Sequence, residues 1–242
     1  MWDFVAAFWV YILIAAFFTL VFGSLLVVGL LEKQRVRDFA TVPPESLPPA
    51  SPYFQAMNNA ARQLGYQPGE VVGQARNSRA YRCCLAFWLS QDQKSFLCIA
   101  GGKLAMVDHK RTSLLSKLEN GRILVTTDEC GMEDFSGTRD LELLLNANLP
   151  ELHTLHQQRL AAVGSPATAF ASINLLGQYE ALNEMRVKAL IDRGFARFAD
   201  AQCNAYRFTL KGAFLNATVG YLKGLKRGQA QKERIKLKRP GS

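Results

Sequence analysis

The chain has 242 residues, 49% of them hydrophobic, which is enough for one ordinary domain with a sizeable core and an extension. Its formal net charge is +9, but eight basic residues against one acid within 223–239 place +7 of that charge near the C-terminus, so the charge does not argue that the folded part binds nucleic acid. The five cysteines are odd in number and include no C-x-x-C pair, which favours reduced core thiols over a disulfide scaffold.

Residues 4–31 contain no charged side chain and are rich in Phe, Leu, Val, Ile and Ala. As a helix this run rises about 42 Å, more than the roughly 30 Å of a bilayer's hydrocarbon core, so the sequence predicts a single transmembrane helix. A cleaved signal peptide is disfavoured, because no basic residue precedes the run and no small-x-small site ends it. A soluble core helix, apolar on all sides at the extreme N-terminus, is the weaker alternative.

The charges that flank this run predict its orientation. Asp3 precedes the run, and three basic residues follow it closely: Lys33, Arg35 and Arg37. Since basic residues beside a span stay in the cytoplasm, we expect residues 1–37 to form an anchor with a basic flank, its N-terminus outside and the body cytoplasmic. Five prolines then predict that residues 38–52 form an extended spacer, rather than a ligand for a proline-binding module.

Residues 53–164 predict an α+β domain with an antiparallel sheet. A helix over 53–64 follows Ser51 and Pro52, which suit its N-cap and first turn. The hydrophobic period then changes to two, which predicts a meander covered largely on both faces, with 70–74 as a further edge strand. The other expected strands are 81–90, 95–100, 103–108, 112–118 and 122–127. The turns between them are expected at 91–92, at the glycine pair 101–102 and at 120–121, and a second helix at about 150–163.

Residues 165–224 predict a helix, a hairpin and a further helix. One long helix is expected from about residue 165 to Arg193, with Gly177 as a candidate break. Short strands over 195–199 and 206–210 follow, and a last helix covers 213–224.

The segment from Met185 to Gly212 resembles the end of a winged-helix domain: a helix ending in an Arg-Gly step, a hairpin, and a Thr-x-x-Gly turn at its end. The resemblance implies that five basic residues face nucleic acid or grip its phosphates: Arg186, Lys188, Arg193, Arg197 and Arg207. A plain helix and hairpin that complete a sheet are the alternative, and bulky Ile173 stands where such motifs usually place a small residue.

Signatures of catalysis are missing from the sequence, which has no Walker-type loop, no G-x-S-x-G and no H-E-x-x-H. His153 and His156 would lie on adjoining faces of one helix, and we expect surface or capping histidines rather than a metal site. Residues 128–134 gather four carboxylates without the ligand rhythm of a calcium loop, which favours a solvated acidic loop. We therefore expect no catalytic residue, cofactor or metal.

Residues 225–242 predict a disordered basic tail. Five of its residues are candidates for contact with the anionic inner leaflet: Lys232, Arg234, Lys236, Lys238 and Arg239. Nucleic acid would attract the same tail by counterion release, and a solvated tail without a partner is the third interpretation.

Together these patterns favour a non-catalytic, single-pass membrane protein whose cytoplasmic body is an interaction or scaffolding module for an unidentified protein partner. A membrane-tethered regulator that binds nucleic acid is the alternative. An enzyme that works through His153, His156 and nearby carboxylates is the third and weakest hypothesis.

Overall fold

The structure is a computed structural model that describes residues 22–24, 26–27, 30–36, 39–41, 51–74, 81–104, 107–128, 134–220 and 222–224, with a few single residues elsewhere. Within these residues, no helix combines the length and the apolar character needed to cross a bilayer. Most of the predicted span at 4–31, the spacer at 42–50 and the tail beyond residue 230 lie outside the described residues.

The described strands and helices are α+β in kind, as predicted. In chain order they are β1 (Gln34–Arg35), β2 (Phe39–Ala40), α1 (Pro52–Gln63), β3 (Gln67–Gln74), β4 (Tyr81–Leu89), β5 (Phe96–Leu104), β6 (Val107–Lys117), β7 (Ile123–Thr127), β8 (Arg139–Leu143), α2 (Leu149–Ala162), α3 (Leu175–Asp192), β9 (Ala196–Phe198), β10 (Ala205–Phe208), α4 (Leu210–Leu215) and a π-helical turn (Asn216–Gly220).

A sheet in the order β2-β3-β4-β5-β6-β7-β8 forms the centre of the body. Neighbouring strands from β2 to β7 are antiparallel, which confirms the predicted meander. Strand β8 was not predicted, and it pairs with β7 in parallel. The two strands begin side by side, since Arg139 at the start of β8 pairs with Ile123 at the start of β7.

Both faces of this sheet are buried, as the two-sided apolar pattern predicts. Leu85 and Phe87 of β4 belong to one hydrophobic cluster, while Ala86 and Trp88 belong to another. Helix α3 packs on the first face, and helices α1 and α2 pack on the second. The sheet is therefore the middle of three layers.

The glycine pair Gly101-Gly102 lies inside β5, so the turn predicted there is wrong. The strand predicted at 95–100 continues to Leu104, and the strands predicted at 103–108 and 112–118 are replaced by the end of β5 and by β6. A Cβ atom on Gly101 would lie 2.8 Å from Cδ2 of Phe54 on helix α1. Glycine is thus needed here for close approach of a helix side chain to the sheet, which is the other common use of glycine in a strand.

Helix α3 begins ten residues later than predicted and has no break at Gly177. Its N-cap is Asn174, which adopts a left-handed backbone conformation (φ +53°) and accepts the Gly177 N–H through its side chain. Gly177 therefore lies in the first turn, and the helix continues without interruption to Asp192. The two-helix arrangement that a helix-turn-helix needs is not formed by this segment.

The segment predicted as the first part of that helix, residues 164–174, instead runs along the ends of the strands. The Thr168 N–H donates to the Lys117 carbonyl, and the Phe170 N–H donates to the Gln93 carbonyl. Because strand ends and turns supply its backbone partners, this segment has no need of a helical ladder.

Glu70 joins the sheet to helix α3. It lies where the register of β3 shifts, and its carboxylate accepts the N–H groups of Leu175 and Leu176 at 3.2 and 3.3 Å. A carboxylate at a helix N-terminus satisfies otherwise unpaired amides and complements the helix dipole.

Replacing Glu70 with Ala should lower the free energy of unfolding by about 1–2 kcal/mol, because two first-turn amides lose a charged acceptor. Urea unfolding of the full chain in detergent, followed by tryptophan fluorescence, measures this loss. Glu119→Ala, an exposed acidic position in the β6–β7 turn, is the control and should shift stability by no more than about 0.5 kcal/mol. An unfolding midpoint that is the same for Glu70→Ala and the unaltered chain would contradict this role.

A second, smaller sheet has the order β1-β10-β9 and is antiparallel throughout. The hairpin predicted here is confirmed, and Thr209 caps α4 by accepting the Gly212 N–H, as the Thr-x-x-Gly pattern implies. One side of this sheet packs with α3 and α4 around a third hydrophobic cluster: Val36, Val187, Leu190, Phe195, Ala196, Tyr206, Phe208 and Ala213. Leu26 and Leu30, from the end of the predicted span, pack against the same cluster. We call β1, β9, β10 and the cluster residues that they carry the small-sheet unit, and helix α4 packs on it.

Candidate functional site

His156 is fully buried beneath helix α2, so the expected surface position is wrong for this residue. Its Nε2 lies 2.9 Å from Ser116 Oγ, and its Nδ1 lies 3.0 Å from Thr126 Oγ1. His153 instead places Nδ1 2.8 Å from the Tyr66 hydroxyl. Among the described residues, no group of three or more His, Cys, Asp or Glu side chains is placed to hold a metal ion.

The partners of His156 fix its tautomer. The Ser116 hydroxyl donates to the Lys94 carbonyl at 2.7 Å, so we infer that it accepts from the Nε2–H group of His156. Nδ1 is then the acceptor for the Thr126 hydroxyl, which also accepts from Arg159. Burial, reinforced by Arg159 and His153, lowers the pKa of His156 to about 3, so the ring is neutral near pH 7. Ser116 is itself fully buried, so this pair holds α2 on the sheet rather than meeting a substrate.

The described ends of the acidic loop turn toward the protein rather than toward solvent. The Asp128 carboxylate accepts from the Thr112 N–H at 2.6 Å and from the Tyr53 hydroxyl at 2.8 Å. Asp134 accepts from Arg186 Nε at 3.0 Å. The loop residues between them, 129–133, lie outside the described part of the chain.

Two of the five basic residues singled out by the winged-helix resemblance are held by protein groups. Arg186 donates to Asp134 and also to the Tyr206 hydroxyl at 3.3 Å, and only 20% of its side chain is exposed. Arg193 donates to the Phe135 carbonyl at 2.9 Å and lies over the Phe195 ring. These contacts tie the end of helix α3 to residues 134–135, which precede β8, and they occupy the Arg186 guanidinium with protein groups.

Arg197 and Arg207 lie directly opposite each other on β9 and β10. Paired residues of antiparallel strands point to the same side, so both face away from the buried Tyr206 and Phe208. Arg35 of β1 pairs with Ala205, two residues from Arg207, and therefore shares that side. This arginine face spans all three strands of the small sheet.

Lys188, the remaining basic residue of that set, is exposed and lines a groove of about 830 Å³ between helix α3 and the turn of the β9–β10 hairpin. We call it the α3–hairpin groove. Its apolar lining includes Val36, Met185, Ile191 and Phe198. Polar side chains of Glu184, Lys188, Asp192, Gln202 and Asn204 complete the lining.

Backbone contacts fix the two walls of the groove. The Val36 N–H donates to the Asn204 carbonyl at 2.9 Å, and Asn183 Nδ2 donates to the Val36 carbonyl at 2.7 Å. Asp200 Oδ1 accepts the Asn204 N–H at 2.8 Å and stabilises the hairpin turn. The residue that follows β1 thus joins α3 to the hairpin, so the groove is built before any partner arrives.

The chemistry of the groove suits a polypeptide better than a phosphate backbone. Lys188 has Glu184 and Asp192 one turn before and after it, so its charge is opposed on the same side of the helix. Phe198 is 42% exposed at the groove wall although it lies on a strand. An aromatic ring beside an apolar floor and a polar rim is the pattern of a protein-binding hot spot.

Sequence reasoning proposed Lys188 only as a nucleic-acid contact, and it did not identify the groove residues Phe198, Ile191 and Val36. The one signal in the sequence for these residues was Phe198. It is an aromatic residue that follows the charged Arg197 at the end of a short strand, just before the hairpin turn. Comparison with protein-family models, with curated proteins and with solved structures finds no match to this chain.

Proposed function

We propose that the chain is a non-catalytic, single-pass membrane-anchored binding module whose body lies on the cytoplasmic side and holds a segment of a partner protein in the α3–hairpin groove. The observation that carries this proposal is the exposed Phe198 ring beside a preformed, largely apolar groove. The uncharged run at residues 4–31 and the basic residues after it support the anchor and its orientation.

The position of the groove supports a partner that is itself at the membrane. Val36, which lines the groove, follows the end of the uncharged run by five residues. A fully extended chain covers at most about 3.6 Å per residue, so five residues span less than about 20 Å. The groove therefore lies within reach of cytoplasmic segments of other anchored proteins.

A photo-crosslinker placed at Gln202, an exposed residue of the groove, should yield one defined adduct in intact membranes that contain the full chain. Phe198→Asp should reduce the yield at least about tenfold, because loss of a hot-spot aromatic costs about 2 kcal/mol or more of binding free energy. Immunoblotting of the adduct after irradiation measures the yield.

The matched control is Ile173→Asp, which changes an exposed apolar residue at the opposite end of helix α3. It should leave the adduct unchanged. An adduct that persists in Phe198→Asp, or that disappears equally in Ile173→Asp, would remove the groove from the proposal.

Binding of nucleic acid is the second candidate function, and the arginine face of Arg35, Arg197 and Arg207 is the observation that favours it. The double variant Arg197→Ala with Arg207→Ala separates the two functions. It should leave crosslinking at Gln202 unchanged if the groove binds protein, and it should abolish salt-dependent retention on duplex DNA if the small sheet binds nucleic acid.

A further inference from the structure

The helix that ends the described body carries an apolar face that the rest of the described protein does not cover. Leu210 is 66% exposed, Phe214 is 57% exposed and Leu222 is 52% exposed, while Val219 lies beside them with more than a third of its surface open. The spacing from Leu210 to Phe214 is one helical turn. These four residues form what we call the α4 apolar face.

The π-helical turn keeps this face continuous. Phe214 and Val219 are five residues apart, which would rotate Val219 away in an α-helix, but the turn over Asn216–Gly220 adds one residue to that revolution. The buried residues follow the opposite side: Gly212, Ala213, Ala217 and Gly220. One side of the helix therefore packs on the small-sheet unit, and the other side presents large apolar groups to the surroundings.

Basic residues accompany the apolar face. Lys211 in helix α4 is exposed, and so are Lys223 and Lys226 among the described residues that follow the π-helical turn. Five further basic residues follow between 232 and 239, against the single acid Glu233. An apolar face with lysines beside it is the arrangement of helices that lie in the interfacial region of an anionic membrane.

The third hydrophobic cluster, on which helix α4 packs, also contacts the end of the predicted span. Leu26 and Leu30 pack against the hydrophobic cluster that contains Ala213, and Leu215 of helix α4 packs against this cluster as well. Helix α4 therefore lies next to the chain that emerges from the proposed anchor. A bilayer is within reach of the α4 apolar face by this geometry alone.

We propose that helix α4 and the turn after it lie in the headgroup region of the cytoplasmic leaflet, with the α4 apolar face toward the acyl chains and the flanking lysines on anionic lipid headgroups. This contact gives the small-sheet unit a fixed orientation at the membrane, in addition to the short covalent link between β1 and the proposed anchor. The inference rests on the membrane placement proposed above but not on the groove. Absence of crosslinking at Gln202 would contradict the groove, whereas absence of lipid contact at Phe214 would contradict only the present inference.

Tryptophan quenching by brominated lipids tests the contact in the full chain. Phe214→Trp and Leu222→Trp are made in a chain that carries Trp2→Phe and Trp9→Phe, which leaves the buried Trp88 as an internal report of folding. Each is reconstituted in vesicles of phosphatidylcholine and phosphatidylglycerol with brominated acyl chains. We expect the introduced tryptophan to lose at least half of the emission that it shows in the same vesicles without bromine. In brominated vesicles of phosphatidylcholine alone, which carry no net charge, the loss should be much smaller.

Ile173→Trp is the matched control, since Ile173 is an exposed apolar residue (77%) before the other end of helix α3. An α-helix of 18 residues separates the two ends by about 27 Å, so this tryptophan should keep its emission. Equal quenching at Ile173→Trp, or none at Phe214→Trp and Leu222→Trp, overturns the proposal. Shielding of Phe214→Trp from a water-soluble quencher by duplex DNA but not by vesicles overturns it in favour of nucleic acid.

Discussion

Acidification from pH 7 to pH 4 should destabilise the folded chain through His156, and His156→Gln should lack this part of the loss. The folded-state pKa is about 3, below the ordinary histidine value of about 6.5. At pH values between those two pKa values, His156 binds a proton in the unfolded chain but not in the folded chain. The free energy of unfolding therefore falls as the pH falls. One site contributes at most about 1.4 kcal/mol per pH unit in that interval.

The same network predicts the effect of mutation at neutral pH. His156→Ala leaves the Ser116 and Thr126 hydroxyls without their ring partner and opens a cavity under α2, which should cost about 3 kcal/mol or more. His156→Gln keeps a polar group at the site and should cost less.

Urea unfolding of the full chain in detergent at pH 7, 5.5 and 4 checks both expectations. Carboxylates titrate alike in the unaltered chain and in His156→Gln, so the difference between the two proteins isolates the histidine. That difference should shrink by about 2 kcal/mol between pH 5.5 and pH 4. Parallel pH dependences for the two proteins would show that His156 does not resist protonation in the fold.

Gly212→Ala should detach helix α4 from the small-sheet unit. A Cβ atom at this position would lie 1.9 Å from the Phe195 carbonyl oxygen and 2.8 Å from its carbon, and backbone atoms cannot move aside as a flexible side chain can. The same oxygen already accepts the Thr209 N–H at 3.0 Å, which holds the start of α4 close to residue 195.

Two effects of opposite sign compete at Gly212. Alanine in place of glycine favours an α-helix by about 1 kcal/mol, whereas overpacking against a backbone costs about 1–3 kcal/mol or more. At a contact this short we expect the steric cost to win, with a net loss of about 2 kcal/mol or more. Amide hydrogen exchange should show lost protection in 205–220 while the seven-stranded sheet keeps its own.

Lys211→Arg is the control for Gly212→Ala, because it changes an exposed neighbour on the same turn and keeps a cation beside the Phe195 ring. It should leave exchange in 205–220 nearly unchanged. A Gly212→Ala chain with equal or greater protection would mean that helix propensity outweighs the contact with Phe195.

The sequence predicted correctly those caps and turns that depend only on neighbouring residues. Ser51 and Pro52 begin helix α1 because a hydroxyl cap and a proline suit the first turn, and the Ser51 side chain does accept the Phe54 N–H. Asn120-Gly121 forms the β6–β7 turn, with Gly121 at a φ of +80°. These features need only neighbouring residues, so one sequence is enough to identify them.

Features that depend on distant partners were not predictable in the same way. The glycines of β5 look like a turn until Phe54 is placed above them, and His156 looks like a surface residue until Ser116 and Thr126 are placed beneath it. Helical spacing at 165–174 was misleading, because apolar residues such as Phe170 there face strand ends rather than a helix stripe.

The α3–hairpin groove also depends on distant partners and could not be predicted from the sequence. Its walls come from Val36, helix α3 and the hairpin turn, so no local motif could describe it. The winged-helix resemblance predicted the hairpin of β9 and β10, which the structure confirms. It could not reveal that Arg186 is held by Asp134, because that contact joins residues 52 positions apart.

Pairing of β1 with β10 has a consequence for biosynthesis. Gln34 and Tyr206 are hydrogen-bonded partners separated by 172 positions. Strand β1 is therefore synthesised long before its partner, β10, leaves the ribosome. The seven-stranded sheet can form in the meantime, since its partners from β3 to β7 are sequential neighbours. The α3–hairpin groove is therefore completed only in chains whose translation has passed the second hairpin strand, because Gln202 and Asn204 of the hairpin turn line it together with helix α3.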